Sequence, residues 1–298
     1  MSPSVATAPS LGQKQIGENF VLLGSRSPAD RRIGLYAKGS CDLNSIFACA
    51  PLIEERLEGT CCILKDGLVA DSRSDMHLQT LQRLPRDSTR QVVRRFRLAE
   101  DYFRPVLFEP TFTVPTADGP QEFPKSVILL SIAPDVVRNG YRHKEHGFIV
   151  DPGGSWLNQS LDTVLADLSV VASFRESFVP IGKISLDDFV ANFTSLIALL
   201  KARTDAHVLV YNTLTVDPGS RIHNLQLVKN FPPLRRREFV VALAELSRAL
   251  DFSIVDVDRI AKRFGIQAQV DFGHLAPELS LLIAREVVRI IRDLGVLP

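Results

Sequence analysis

The chain has 298 residues, of which 45% are hydrophobic, and its formal net charge at pH 7 is +1. This length and composition are enough for one large domain or two small ones with a substantial core. The small net charge argues against nucleic acid or a strongly acidic surface as the partner, and no apolar run approaches the ~20 residues that span a membrane.

The N-terminal segment and the cysteines bear on localisation. Residues 1–15 are small, polar and Pro-containing, and we expect them to be disordered. They lack a basic stretch followed by an apolar run, so we see no secretory signal. The four cysteines fall in one fifth of the chain, without the spacing of a zinc site: Cys41, Cys49, Cys61 and Cys62. This pattern favours reduced thiols in a cytoplasmic protein, with no metal site.

Residues 16–298 are expected to form one domain in which strand and helix patterns alternate. Such alternation is typical of an α/β fold, in which helices cover both faces of a mostly parallel sheet. Apolar runs predict five strands, at 33–37, 61–64, 126–131, 207–212 and 252–257. Helices are predicted at 43–57 with a kink or break at Pro51, and at 74–84, 87–102, 186–203, 233–249 and 277–294.

Two long insertions exceed what a minimal five-stranded sandwich needs. Residues 103–125 contain five prolines among Phe, Thr and Val, and we expect either an extended hairpin or a lid over a cleft. Residues 138–183 form the second insertion, and loops of this length are usually functional or disordered.

Two short basic clusters, 94–97 and 235–237, stand out in an otherwise balanced sequence. We interpret each as a solvated helix face. Contact with an anion or a phosphate is the less favoured alternative for both.

The segment after the first predicted strand offers a nucleophile. Ligands of an open parallel sheet bind beyond the carboxyl ends of its strands, and Gly39-Ser40-Cys41-Asp42 lies there, directly before a helix. The positive end of the helix dipole lowers the pKa of a thiol, which favours Cys41, whereas Ser40 would need a base. On this segment alone, a structural role is preferred, with Ser40 as a helix cap and Cys41 as a small buried residue.

A possible base lies near the other end of the chain, in Asp271-Phe272-Gly273-His274. A carboxylate can fix the tautomer of an imidazole and stabilise the imidazolium, and the imidazole can then take a proton from a nucleophile. A single loop histidine is usually just solvated. That interpretation is weaker here because the loop after the fifth strand opens at the same sheet edge as the first.

The loops between these two segments carry weaker signals. Gly67 and Ala70, after the second strand, could present backbone N–H groups to an oxyanion, although such a glycine more often serves a turn. After the third strand, Pro134 offers no donor. Asn212, after the fourth strand, either lines the cleft or ends the strand. Asp256 and Asp258 are interpreted as structural or surface charges.

Together these segments resemble the SGNH (GDSL-type) hydrolase superfamily over about residues 31–298. That family has a flavodoxin-like three-layer α/β/α fold, a Gly-Asp-Ser motif after the first strand and an Asp-x-x-His motif before the last helix. The resemblance implies that Cys41, in Gly39-Ser40-Cys41, is the nucleophile, or Ser40 if the turn is shifted by one residue. It also implies Asp271 and His274 as the remaining members of a catalytic triad.

The resemblance is incomplete at the oxyanion hole. In the family, a Gly amide after the second strand and an Asn side chain after the third complete this hole. Ala70 stands in place of the Gly, which a backbone donor tolerates, but residues 132–135, Ile-Ala-Pro-Asp, replace the segment that carries the Asn. Asn139 could substitute only if its loop folds back. Loss of one oxyanion donor typically costs about 10²–10³-fold in rate.

The resemblance implies an acyl-transfer enzyme, an esterase, thioesterase or acyltransferase, that forms a covalent acyl-enzyme without a metal or cofactor. A small-molecule or carrier-bound acyl group is the expected substrate, because the C-terminal half also resembles the hydrolase-like domain of enzymes that load glyceryl groups onto acyl carrier proteins. The alternative is a catalytically impaired binding module that acts with a carrier protein or another partner. A nucleotide-binding oxidoreductase has little support, since the first strand lacks a Gly-x-Gly-x-x-Gly turn. Neither nucleic acid nor a membrane is expected as a partner, and the oligomeric state is left open.

Overall fold

The computed structural model describes residues 19–23, 33–39, 41–43, 45–46, 61–64, 73–96, 98, 102–116, 119–152, 160–165, 167–215, 233–265 and 275–296. Within these residues, ten strands form two sheets, of seven and three strands. The strands are β1 (Asn19–Leu23), β2 (Ile33–Lys38), β3 (Cys61–Leu64), β4 (Thr111–Thr116), β5 (Gly119–Ser131), β6 (Gly140–His143), β7 (Ile149–Val150), β8 (Phe178–Gly182), β9 (His207–Tyr211) and β10 (Ser253–Val255).

The larger sheet has the order β10-β9-β5-β2-β1-β3, with β4 paired to β5. Strands β2, β5, β9 and β10 are parallel neighbours, whereas β1 runs antiparallel between β2 and β3. If β1 is left aside, the five predicted strands stand in the order second, first, third, fourth, fifth, which is the order of flavodoxin-like folds. The prediction of an α/β fold with a mostly parallel core sheet is confirmed.

The described helices are α1 (Ser74–Gln79), α2 (Arg86–Phe96), α3 (Ala133–Val137), α4 (Leu161–Leu165), α5 (Leu168–Ser177), α6 (Leu186–Arg203), α7 (Pro233–Leu250), α8 (Val257–Phe264) and α9 (Pro277–Asp293). Short 3-10 helices occur at Cys41–Leu43 and Val106–Phe108. None of the helices in the described part of the chain combines the length and apolarity that a membrane crossing requires.

The central strand β5 shows why helices cover both faces of the sheet. Successive side chains of a strand point to opposite faces. Val127 and Leu129 therefore pack in one apolar cluster with α8 and α9, while Ile128 and Leu130 pack in another with α6 and α7. Because all four side chains are buried, the strand needs a helical layer on each side.

Helix boundaries follow the capping residues. Ser185 caps α6 as predicted, because its Oγ accepts a hydrogen bond from the Asp188 amide at 3.0 Å. Helices α7 and α9 end within one residue of the prediction. The prediction missed α8 because it extended the fifth strand to residue 257. The strand ends at Val255, and Asp256 caps α8 by accepting from the Arg259 amide at 3.0 Å.

The predicted number of strands and the lengths of two helices are corrected by the structure. The sheet has seven strands and not five, because the segment around residues 19–23 adds β1 and because residues 111–131 form the β4–β5 hairpin. That hairpin confirms one of the two alternatives for residues 103–125. Predicted helices 74–84 and 87–102 are shorter, at Ser74–Gln79 and Arg86–Phe96. The expected disorder of residues 1–15 and most of the helix at 43–57 lie outside the described residues.

The second insertion has its own structure. Strands β7, β6 and β8 form the three-stranded sheet, and α4 and α5 lie between β7 and β8 in the chain. Phe148, Phe174 and Phe178 are buried together with Met76 of α1. Residues 138–183 therefore supply a small apolar cluster that packs against the main domain, in place of an unstructured loop.

Candidate functional site

The carboxyl ends of β2, β5, β9 and β10 lie at one edge of the sheet. The register pairs Lys38 with Leu130, Ser131 with Tyr211, and Tyr211 with Val255. The loops that follow these strands therefore start side by side, as expected for the ligand-binding edge of an open parallel sheet.

Several predicted site residues fall outside the described part of the chain. Asp271 and His274 of the predicted triad are among them, as is the alternative nucleophile Ser40. Gly67 and Ala70, the predicted backbone donors of the oxyanion hole, also lie outside the described residues. For Cys41, the structure describes the backbone, which begins the 3-10 helix after β2. The contact between nucleophile and imidazole therefore stays a prediction.

The turn after β2 passes very close to the end of β5. A Cβ atom built on the buried Gly39 would lie 2.7 Å from Leu43 Cδ1 and 3.0 Å from Ser131 Cβ. Only glycine fits such a close approach without displacing its neighbours. Gly39 therefore brings the segment that carries Cys41 against the carboxyl end of the central strand.

Asp42 links the same two strand ends through hydrogen bonds. Its carboxylate accepts from the Ser131 hydroxyl and, at 3.1 Å, from the Leu43 amide. Ser131 Oγ in turn accepts from the Ala133 amide at 3.0 Å. These bonds fix the backbone at the ends of β2 and β5. The Ser131 hydroxyl proton is used in the bond to Asp42.

Residues that flank the two halves of the proposed triad share one apolar cluster. Leu43 and Ile46, which follow Cys41, are buried in the same cluster as Ala276 and Leu279, which follow His274. Leu275 is partly buried against that cluster. The two segments are about 230 residues apart in sequence, and both contribute side chains to the same face of the sheet.

Asn212 serves to connect β9 with β10. Its Nδ2 donates to Asp256 at 2.8 Å, and its Oδ1 accepts from the Asp258 amide at 3.2 Å. Asp258 also accepts from Thr215 and forms an ion pair with Lys262 at 2.8 Å. These contacts support a structural role for both carboxylates. The Nδ2 and Oδ1 atoms of Asn212 are both used in these contacts. Of the two predicted roles of Asn212, lining a cleft or ending the strand, the contacts favour the second.

After β5, the chain turns directly into α3. Pro134 and Asp135 are buried in this helix, and the Asp135 carboxylate accepts from Ser74 N at 2.9 Å and from Ser74 Oγ at 2.6 Å. Asn139 lies half-buried between α3 and β6. Residues 132–135, which replace the Asn-bearing segment of the SGNH hydrolases, therefore attach α1 to the end of β5.

Asp135 is a buried carboxyl group from which we expect a pH dependence of stability. Burial raises the pKa of its carboxyl to about 7, although the hydrogen bonds from Ser74 act in the opposite direction. The folded state then holds a proton that the unfolded chain releases near its ordinary pKa of 3.8. We expect the free energy of unfolding to fall as pH rises from about 4 to about 7, and to fall less in Asp135→Asn.

Urea unfolding at several pH values across that window checks this expectation. The difference in stability between wild type and Asp135→Asn isolates the contribution of this one group. Asp162→Asn is the matched control, since Asp162 is exposed and pairs with Arg175 at the surface. Parallel curves for wild type and Asp135→Asn would contradict the expectation.

Two basic side chains that the sequence did not predict to be buried lie near the strand ends. His77 of α1 is buried, and burial together with the nearby Lys38 lowers its pKa to about 3. It is therefore neutral under ordinary conditions. Arg236 is buried in the first turn of α7, where burial lowers its pKa to about 9, against the opposing effect of Asp42.

The burial of Arg236 corrects the interpretation of residues 235–237 as a solvated face. Arg236 is 7% exposed and Arg235 is half-buried, whereas Arg237 is exposed as expected. The missed signal is the spacing of Arg236 from the apolar residues Phe239 and Leu243, which places it on the buried stripe of the helix. Arg94 and Arg95 in the other cluster are exposed, as predicted.

A groove of about 750 Å³ follows the free edge of the sheet beside β10. Its charged side chains largely pair with each other: Arg259 and Arg289 each contact Glu286 at 2.9 Å, and Lys262 contacts Asp258. Across the described ranges, no group of three or more His, Cys, Asp or Glu side chains is placed to hold a metal ion.

Comparison with known proteins adds no assignment to this geometry. No family model matches the chain, and no curated protein matches it. The fold defines a protein of the α/β class with helices on both sides of a mostly parallel sheet. The resemblance to the SGNH hydrolases stays a prediction from the sequence motifs.

Proposed function

We propose that this protein is a divergent SGNH-type acyl-transfer enzyme that acts on ester or thioester bonds. The observation that carries the proposal is that Leu43 and Ile46 belong to the same apolar cluster, on one face of the sheet, as Ala276 and Leu279. These residues flank Cys41 and His274, so their common cluster favours a single cleft for the thiol and the imidazole. The close approach of Gly39 to Ser131 adds support, since it directs the Cys41 segment to the ligand-binding edge.

In the proposed mechanism, His274 takes the proton of the Cys41 thiol as the sulfur attacks the acyl carbonyl. Asp271 orients His274 and stabilises its charged form. Backbone amides near Cys41 and Ala70 hold the oxyanion of the tetrahedral intermediate. The intermediate collapses to a thioester on Cys41, His274 protonates the leaving group, and water or another acceptor then removes the acyl group. Ser40 would take the place of Cys41 if the turn is shifted by one residue.

A non-catalytic binding module remains the second candidate, on one specific observation. The Ser131 hydroxyl donates to Asp42, and Pro134 lacks an N–H, so neither supplies the donor that the family takes from this loop. Such a protein would bind an acyl carrier or a similar partner without turnover.

Acyl-enzyme trapping tests the proposal. We expect a short-chain activated thioester to add one acyl group to the protein, and peptide mapping to place it on Cys41. Cys41→Ala should abolish the adduct, whereas Ser40→Ala should retain it. The reverse result would assign the nucleophile to Ser40. Acylation confined to Cys49, Cys61 or Cys62, with Cys41→Ala and Ser40→Ala both fully active, would reject the mechanism.

A further inference from the structure

Three cationic residues lie near the carboxyl edge of the sheet. Lys183 follows β8, and Arg235 and Arg236 lie in the first turn of α7. Arg235 Nη2 donates at 2.6 Å to the carbonyl of Ile184, the residue next to Lys183. We call Lys183, Arg235 and Arg236 the cationic cluster.

Arg235 is held in place without an ion pair. Its guanidinium donates to the carbonyl oxygens of Val136 at 3.0 Å, Asp135 at 2.9 Å and Ile184 at 2.6 Å. It also lies over the Phe239 ring, 4.2 Å from the centroid. These contacts fix its orientation, but they leave its charge unneutralised by any carboxylate of the described residues within ion-pair distance.

Lys183 is in a similar state. It is exposed, and within the described residues it has neither a hydrogen bond nor an ion pair. Burial of its stem lowers the pKa of its amine, and the charges of Arg235 and Arg236 lower it further. Like charges repel when they are brought together in this way, so the arrangement reduces stability in the absence of an anion.

The carboxylates of this region are engaged with other partners. Asp42 accepts from Ser131, Asp135 accepts from Ser74, and Asp258 pairs with Lys262. Glu238 of α7 also acts on Arg235 and is exposed. An incoming anion would therefore meet Arg235 in an orientation fixed by three carbonyl oxygens, beside the exposed amine of Lys183.

We propose that the cationic cluster binds an oxyanion, the carboxylate or phosphate group of the substrate. As a statement about the substrate, this inference rests on the proposed function. Arg236 connects the cluster to the carboxyl edge of the sheet, since its guanidinium donates to Thr213 Oγ1 at 2.8 Å and to the Leu214 carbonyl at 3.0 Å, just after β9. An anionic end group held here would place the acyl chain along the edge where Cys41 lies.

Binding of inorganic phosphate and of acetate, measured by calorimetry at constant ionic strength, tests the cluster without any need for turnover. We expect one of the two anions to bind, and Lys183→Gln and Arg235→Gln each to weaken that binding about tenfold. The anion that binds with the higher affinity shows whether the cluster prefers a phosphate or a carboxylate. Lys183→Gln is the more informative variant because the exposed side chain of Lys183 can be replaced without disturbing the core.

Lys201→Gln is the matched control, because it removes one positive charge near the end of α6, where the chain leads to the opposite edge of the sheet. It should leave anion binding unchanged. Absence of binding by either anion would overturn the inference, and so would equal losses in Lys183→Gln and Lys201→Gln.

Acylation kinetics separate this inference from the proposed function. We compare two thioesters whose acyl chains end either in the preferred anionic group or in its uncharged ester. The anionic thioester should acylate wild type about tenfold faster than the uncharged one, and Lys183→Gln should remove this preference. Anion binding that depends on Lys183, with no acylation by either thioester, would support the cluster and reject the enzyme. Acylation of Cys41 without any preference would support the enzyme and overturn the cluster's role.

Discussion

His274→Ala is expected to reduce turnover of an activated thioester by about 10³–10⁴-fold, with little change in stability. General acid–base catalysis by a positioned side chain contributes on this order, and here one imidazole would serve as base for Cys41 and as acid for the leaving group. Steady-state kinetics and thermal unfolding of the same preparations provide the measurement.

His207→Ala serves as the control for this variant. His207 is exposed and is the first residue of β9, so it lies at the edge of the sheet opposite the proposed site. It should leave turnover unchanged. Equal activity of wild type and His274→Ala would exclude the triad, and a complete lack of turnover in wild type, together with retention of a carrier protein, would favour the binding module.

Arg73→Met should destabilise the protein by about 3–5 kcal/mol, the range observed when one partner of a buried ion pair is removed. Arg73 is 1% exposed and makes two parallel bonds to Asp75, at 3.1 and 2.5 Å. Its Nη1 also donates to the Gly182 carbonyl at 2.6 Å. Removal of the guanidinium leaves Asp75 without its partner and breaks a connection between α1 and β8.

Arg289→Met provides the comparison for Arg73→Met. Arg289 also makes two parallel bonds to one carboxylate, with Nε and Nη2 each 2.9 Å from Glu286, but its side chain is 56% exposed. Because water screens this pair, we expect a change within about 1 kcal/mol. Urea unfolding measures both variants. If both lose the same amount of stability, burial is not what makes the Arg73 pair important.

Hydrogen exchange should show where Arg73→Met acts first. The bond to Gly182 holds the three-stranded sheet, and Gly140 of that sheet packs so closely on Arg73 that a Cβ there would lie 2.7 Å from Nη2. We therefore expect residues 140–150 and 178–182 to lose protection before β5 and β9 do. Uniform loss across all strands would contradict this order.

The local sequence pattern was sufficient for most of the main sheet. Residues 127–130, Val-Ile-Leu-Leu, are apolar without interruption, and they lie in the second half of the buried central strand β5. Ser185 followed by Asp187 and Asp188 marked the start of α6 to the residue. These features are set by backbone geometry and by burial on two faces, which nearby residues encode directly.

The same patterns misjudged features that depend on distant contacts. Arg236 was interpreted as solvated because its neighbours are basic, but Thr213 accepts from its guanidinium at 2.8 Å inside the protein. The second insertion carries a sheet whose strands β6 and β8 are far apart in sequence. Two- to five-residue strands give too short a pattern to predict without their partners.

The sequence by itself determined the α/β class, the mostly parallel sheet and the positions of its main strands. Only the tertiary structure decided that the chain segments after Cys41 and after His274 pack in one apolar cluster, and that Arg235 and Arg236 turn inward beside Lys183. The physical reason is that periodicity and capping act over a few residues, whereas packing and charge placement depend on residues that only folding brings together.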